Sequence, residues 1–127
     1  MTKSLSLLDR ATEAARKGRL EEAERLARRD GSPNAYLLLS MAAESRGELH
    51  EALDHARTAA SRNPSLAAAH AFLVPLYMRL GMHEESELAR RSALEALSGM
   101  DDDELVSDIE MLSAGALRRA LDPRSRG

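Results

Sequence analysis

The sequence predicts an all-α domain built from short antiparallel helical hairpins, and three observations predict it. Apolar residues make up 43% of the chain and aromatics only 2%, so the core must be assembled from leucine and alanine, which favour close-packed helices over pleated sheets. Glycine recurs behind Ala/Leu-rich stretches at Gly18, Gly31, Gly47, Gly81 and Gly99, where a residue free to take positive φ can end a helix. Gly47 and Gly81 stand 34 positions apart, the length of a repeating two-helix unit.

The 127 residues fall within the range of one domain. Charged residues reach 31% but nearly cancel, at a net charge of −3, which argues against a disordered polyelectrolyte and against a nucleic-acid binder that relies on a strong positive field. Cysteine is absent, so disulfides and thiolate sites are excluded. The first twenty residues are broken by Lys3, Asp9, Arg10, Glu13, Arg16 and Lys17, which leaves no continuous apolar stretch for a signal peptide. No later window approaches ~20 uninterrupted apolar residues. The expectation is a cytoplasmic protein with no membrane partner.

Each element is marked by spacing and punctuation. Leu7, Ala11 and Ala14 precede Gly18, and Leu20, Ala23 and Ala27 follow it. Tyr36, Leu39 and Ala43 lead to Gly47, and Leu49, Ala52, Leu53, Ala56 and Ala59 continue beyond it. A third pair is outlined by Leu73, Leu76, Tyr77 and Leu80, then Leu88, Ala89, Ala93 and Leu97. This is the period of helices, and strand-type alternation is missing. Ser32 before Pro33, and Ser65 after Pro64, suit helix N-caps. Helices of about 10 to 16 residues joined by about two to five must fold back as antiparallel neighbours. Gly18 to Gly47 is 29 positions rather than 34, so the turn at Asp30, Gly31, Ser32 and Pro33 arrives about one helical turn early. An irregular step between the first two hairpins follows.

On these residues the sequence resembles the tetratricopeptide repeat family, over roughly Leu5 to Leu97. Tyr36, Leu39, Ser40 and Ala43 occupy the family's first-helix slots. Gly47 is its turn, Leu49, Ala52, Ala56 and Ala59 continue the pattern, and Pro64 is the closing proline. The third copy carries His70, Leu73, Val74, Tyr77, Gly81, Ser86, Arg90 and Ala93, with Ser98 where a proline is expected, and in the first copy Arg10 replaces the first-helix leucine. The resemblance implies a tetratricopeptide-like α-α superhelix of about seven helices, with repeats over about 4–31, 32–65 and 66–98. Residues 101–121 then read as a capping helix over the exposed apolar end. Asp101, Asp102, Asp103 and Glu104 complement its dipole at one end, and Arg118 and Arg119 at the other. Gly115 either kinks this helix or splits it, and residues 122–127 read as a disordered tail.

Catalytic constellations do not assemble. His50, Glu51 and His55 resemble a zinc-protease helix superficially, but that motif needs histidines four apart on one face. Here they are five apart, so both read as solvent-facing, and His70 and His83 read as interior packing groups. The acidic run from Asp101 lacks the glycine turn of a calcium loop. In the first hairpin Arg25, Arg28 and Arg29 are interleaved with Glu21, Glu22 and Glu24, the pattern of a solvated face of ion pairs rather than a nucleic-acid patch. The expectation is no enzyme, no metal, no cofactor and no nucleic acid.

The resemblance places a partner groove on the first helix of each hairpin. Its lining would be Leu5, Leu8, Thr12 and Ala15, then Leu37, Leu38, Met41, Glu44 and Ser45, then Ala71, Phe72, Pro75, Met78 and Arg79. Apolar Leu37, Met41, Phe72 and Met78 would form its centre, a surface that must be covered by something. Family members that clamp a terminal carboxylate use basic and amide side chains on these helices. Here Leu8, Thr12, Leu38, Ala68 and Phe72 stand at those positions, so an apolar or amphipathic helical segment is the expected ligand. Pro75 should bend its helix. The functions this implies are a protein-binding adaptor or scaffold, a dedicated chaperone similar to the small bacterial chaperones of secretion systems, or a self-associating module such as a homodimer. The same stripe can also be covered by residues 1–4, by the final helix or by a second copy.

Overall fold

The computed structural model describes residues 6–101, 105–107, 112–113 and 121. Its body is six helices: α1 (Leu7–Arg16), α2 (Leu20–Asp30), α3 (Pro33–Ser45), α4 (Leu49–Arg62), α5 (Ala67–Arg79) and α6 (His83–Leu97). The tightest packing is between α1 and α2, α3 and α4, and α5 and α6, followed by α2 on α3 and α4 on α5. This is a row of three antiparallel hairpins.

The hairpin turns are three copies of one geometry. Gly18, Gly47 and Gly81 have φ of 78°, 78° and 76°, a left-handed conformation that residues with a Cβ adopt at a cost. In each turn the next residue donates its N–H back into the first helix: Arg19 to the Ala14 carbonyl at 2.9 Å, Glu48 to Ala43 at 3.0 Å and Met82 to Tyr77 at 2.8 Å. The orphan carbonyls at the helix end are thereby satisfied.

Seven residues before each glycine and five after it, the two helices of a hairpin meet on small or β-branched residues. The pairs are Ala11 with Ala23, Ser40 with Ala52, and Val74 with Ser86, all buried. The serine changes helix between copies and its bond follows. Ser40 Oγ donates to the Ala52 carbonyl at 2.8 Å, and Ser86 Oγ donates to the Val74 carbonyl at 3.0 Å. Each buried hydroxyl is satisfied by the backbone of the opposite helix.

The helix starts follow local chemistry. Ser6 caps α1 reciprocally, its Oγ accepting from Asp9 N–H at 3.0 Å while Asp9 Oδ2 accepts from Ser6 N–H at 3.3 Å. Ser32 Oγ accepts from Ala35 N–H at 3.2 Å, with Pro33 in the first turn. Ser65 is not an N-cap. That position belongs to Leu66, and Ser65 N–H instead donates to Asn63 Oδ1 at 3.2 Å, an Asx turn that ends α4. Pro75 lies inside α5, which continues through it to Arg79.

The irregular first step is present: α2 has 11 residues where α4 has 14, and it stops at Gly31 with φ 69°. An ion pair spans that step. Glu24 is only 6% exposed, and its carboxylate is gripped by both terminal nitrogens of Arg46, one contact at 3.1 Å, and by Arg28 at 3.4 Å. The expectation of a wholly solvated charged face is corrected here. Its partner lies 22 positions away, beyond the reach of local charge patterning.

Beyond α6 the structure departs from the expected capping helix over 101–121. Leu105–Ser107 (β1) and Leu112–Ser113 (β2) form a short antiparallel pair with an irregular register. Four adjacent carboxylates repel along a first helical turn, and Gly115 in the interior would cost about 1 kcal/mol against alanine. These penalties work against one continuous helix. Leu121 is nonetheless 6% exposed in the cluster that holds Leu73, Leu76 and Leu97, so the chain returns to the last hairpin. Leu121 is itself helical, Gly115 and the 122–127 tail lie outside the described residues, and six helices have both ends among the described residues.

Two predictions follow from the seams and the step. Ser40→Ala should lower unfolding free energy by about 1 kcal/mol, and Ala52→Leu by about 1 to 3 kcal/mol through overpacking, both read from denaturant titrations. Glu24→Ala should raise amide exchange in residues 7–30 far more than in residues 67–97, and uniform exchange would contradict the assigned role of Glu24.

Candidate interaction surface

The first helices of successive hairpins touch, α1 on α3 and α3 on α5, whereas the second helices make at most marginal contact with each other. The row is therefore tighter on the α1, α3, α5 side, termed the inner face, than on the α2, α4, α6 side.

The expected groove residues divide into three groups on this face. Leu37, Leu38 and Thr12 are buried, at 0%, 3% and 9% exposure. Leu37 and Leu38 share a cluster with Ala11 and Ala14 of α1 and Ala68 and Ala69 of α5. Alanines on both flanks let the neighbouring helices close over the leucines, so neither lines an open groove. Thr12 is occupied locally, its hydroxyl donating to the Leu8 carbonyl at 2.8 Å.

Leu8, Met41 and Phe72 are half-buried and packed on the core. Phe72 touches both core clusters. Among the nearby residues, Ala15 is half-buried and Ala71 buried, and Leu5 lies outside the described residues.

Ser45, Pro75, Met78 and Arg79 are exposed. Arg79 reaches across from α5 to Glu44 of α3 at 3.5 Å, and Ser45 Oγ donates to the Ala42 carbonyl at 3.0 Å. Met78 is 44% exposed, with its Sδ 3.3 Å from His83 Nδ1. The exposed members of the expected set thus lie in the C-terminal halves of α3 and α5, apolar at Pro75 and Met78, with the Arg79–Glu44 ion pair joining the two helices.

The histidines take varied places. His50 is exposed. His55 is half-buried rather than solvent-facing, its ring 6.1 Å from that of Tyr36 and its Nε2 3.6 Å from Glu51. The hydrogen bond between Glu48 and Glu51 raises the Glu48 pKa and lowers that of Glu51. His70 Nε2 donates to the Pro64 carbonyl at 2.7 Å, since a carbonyl can only accept. His83 is exposed and not an interior group. Among the described residues no group of three or more His, Cys, Asp or Glu is placed to hold a metal ion.

Sequence reasoning missed three further features. Leu88 on α6 is 60% exposed, and nothing in its helical spacing separates it from the core leucines. Arg62 stacks 4.9 Å from the Tyr36 ring centre and donates to the Gly31 carbonyl at 3.3 Å, tying the end of α4 to the end of α2. Two polar clefts lie at the surface, one along α4 by Arg57, Thr58 and Arg62, the other between Pro64, His70 and Glu95.

No protein-family model matches the chain, and no curated protein matches it in sequence. No helix among the described residues is long and apolar enough to cross a membrane.

Because both ends of the Arg79–Glu44 pair are about half exposed, at 51% and 44%, solvent screens it. Arg79→Ala should therefore leave the thermal midpoint nearly unchanged, and a large drop in calorimetry would show that the pair is structural.

Proposed function

We propose that this chain is a tetratricopeptide-like adaptor that binds a helical or apolar segment of another protein on its inner face. One observation carries the reading: Met78 and Pro75 stand exposed on α5, the helix that carries half-buried Phe72 and that touches α3 with its half-buried Met41. Flexible thioethers adapt to varied apolar surfaces, and Glu44 with Arg79 supplies a polar rim of the kind that surrounds docking sites. In this reading Leu37, Leu38 and Thr12 hold the face in shape without touching the partner, and Met78, Pro75, Ser45 and Arg79 make contact. The protein acts by display and carries out no reaction, in the cytoplasm.

A dedicated chaperone is the alternative, and co-expression separates the two. A chaperone's client precipitates without it, whereas an adaptor's partner stays in solution.

The test uses exposed positions so that folding is preserved. A photo-crosslinking amino acid at position 78 should trap a partner in cells that make the protein. Met78→Glu with Pro75→Glu should reduce capture by on the order of tenfold while circular dichroism is unchanged. Equal capture by the double variant would refute the assignment. Crosslinks only to a second copy of this chain would replace it with self-association.

A further inference from the structure

The outer helices carry a charge arrangement that their own dipoles and ion pairs account for only in part: Arg28 pairs with Glu24 and Arg91 with Glu87, whereas Arg25, Arg29 and Arg57 do not pair among the described residues. Since consecutive helices are antiparallel, α2, α4 and α6 all run in one direction. In each, acids fill the first half: Glu21 and Glu22, Glu51 after Glu48 at the N-cap, Glu84 and Glu85. Arginines follow in the second half, so stacking turns three sequence patterns into two bands. An acidic band runs along the glycine-turn edge and a basic band runs beside it.

The basic band is in register with the repeat. Arg28, Arg57 and Arg91 each stand ten residues after their turn glycine. Their side chains face solvent: Arg28 is 57% exposed, Arg91 is 70% exposed, and Arg57 is exposed. Arg25 and Arg29 flank Arg28 on α2 and are exposed too. Among the described residues no carboxylate pairs with Arg25, Arg29 or Arg57. Arg62 extends the band where the ends of α2 and α4 meet, through its bond to the Gly31 carbonyl.

Helix dipoles explain only part of the placement: Arg28 and Arg29 stand in the last turn of α2 and Arg62 in that of α4. The dipole favours cations only within the last turn, yet Arg57 precedes the end of α4 by more than a turn, and the last turn of α6 holds no base. Carboxylates near the band are few. Asp30 is engaged by Ser32 N–H at 3.0 Å, Glu24 is buried by Arg46, and Glu87 is held by Arg90 and Arg91. Asp54 lines the same cleft as Arg57 and Arg62, and Glu95 lines the separate cleft by Pro64 and His70.

We propose that this band is a second docking surface, distinct from the inner face, for an extended acidic segment of a partner polypeptide. A strand-like peptide rises about 3.3 Å per residue, so an extended acidic segment can present carboxylates to more than one of these helices. Guanidinium forks match carboxylates in paired hydrogen bonds. A nucleic-acid duplex fits less well, because its closely spaced phosphates would overhang the adjacent acidic band.

The test is fluorescence anisotropy on the full chain with a labelled hexaglutamate peptide, beside a serine-glycine peptide of equal length and an oligothymidylate of equal charge. Hexaglutamate should bind, weaken steeply with added salt, and lose on the order of tenfold in affinity in Arg57→Gln with Arg91→Gln. Glu84→Gln with Glu85→Gln should bind as well as the parent or more tightly. Met78→Glu should leave binding unchanged, which separates this surface from the inner one. Arg57→Gln alone disturbs no ion pair, so its weaker but measurable loss keeps the test decisive if the double variant unfolds. No binding of hexaglutamate, equal binding by the variants, or tighter binding of the oligothymidylate would each overturn the proposal.

Discussion

Everything else in the molecule depends on how closely the two helices of each hairpin can approach. At Ala11 against Ala23, Ser40 against Ala52 and Val74 against Ser86 the side chains are small or β-branched and buried, so the backbones meet and the flanking leucines interlock. Where a hydroxyl sits in that gap, the facing backbone satisfies it. The core that results is continuous along the row, because Ala60 and Phe72 pack on both clusters.

Much of the architecture was legible because its signals are local. The turn glycines, the Ser32 cap and the apolar spacing each act within a few residues, and all three hairpins appear where they place them. Failures have a common physical origin in interactions distant along the chain. Glu24 reads as one more exposed acid until Arg46 arrives from the next hairpin. Leu37 and Leu38 read as groove residues until the alanines of α1 and α5 admit close neighbours. Strand pairing at Leu105 and Leu112 competes with a helix that composition alone favours. Leu88 shows the converse, since its spacing matches buried leucines yet it is 60% exposed on α6.

The two faces differ in chemistry as well as in shape. On the inner side, three helices in contact leave a small apolar patch with an ion pair at its edge. On the outer side, three helices further apart present charge in ordered bands. Apolar contact gives affinity that salt scarcely alters, whereas exposed charge steers encounter and weakens as ionic strength rises. On the proposed reading, a partner would be held by burial on one side of the row and selected by field on the other.

The shortened α2 gives the row a direction of growth. From Pro33 onward the second and third hairpins are set 34 residues apart, Gly47 to Gly81, so a duplicated segment would meet its neighbours through a joint that already exists. The opening hairpin lacks that interchangeability: it is cut short at Gly31 and bolted to Arg46 by a carboxylate that has no counterpart at Leu53. Gene duplication could lengthen this protein downstream of that bolt, and the N-terminal pair would stay a fixed foundation.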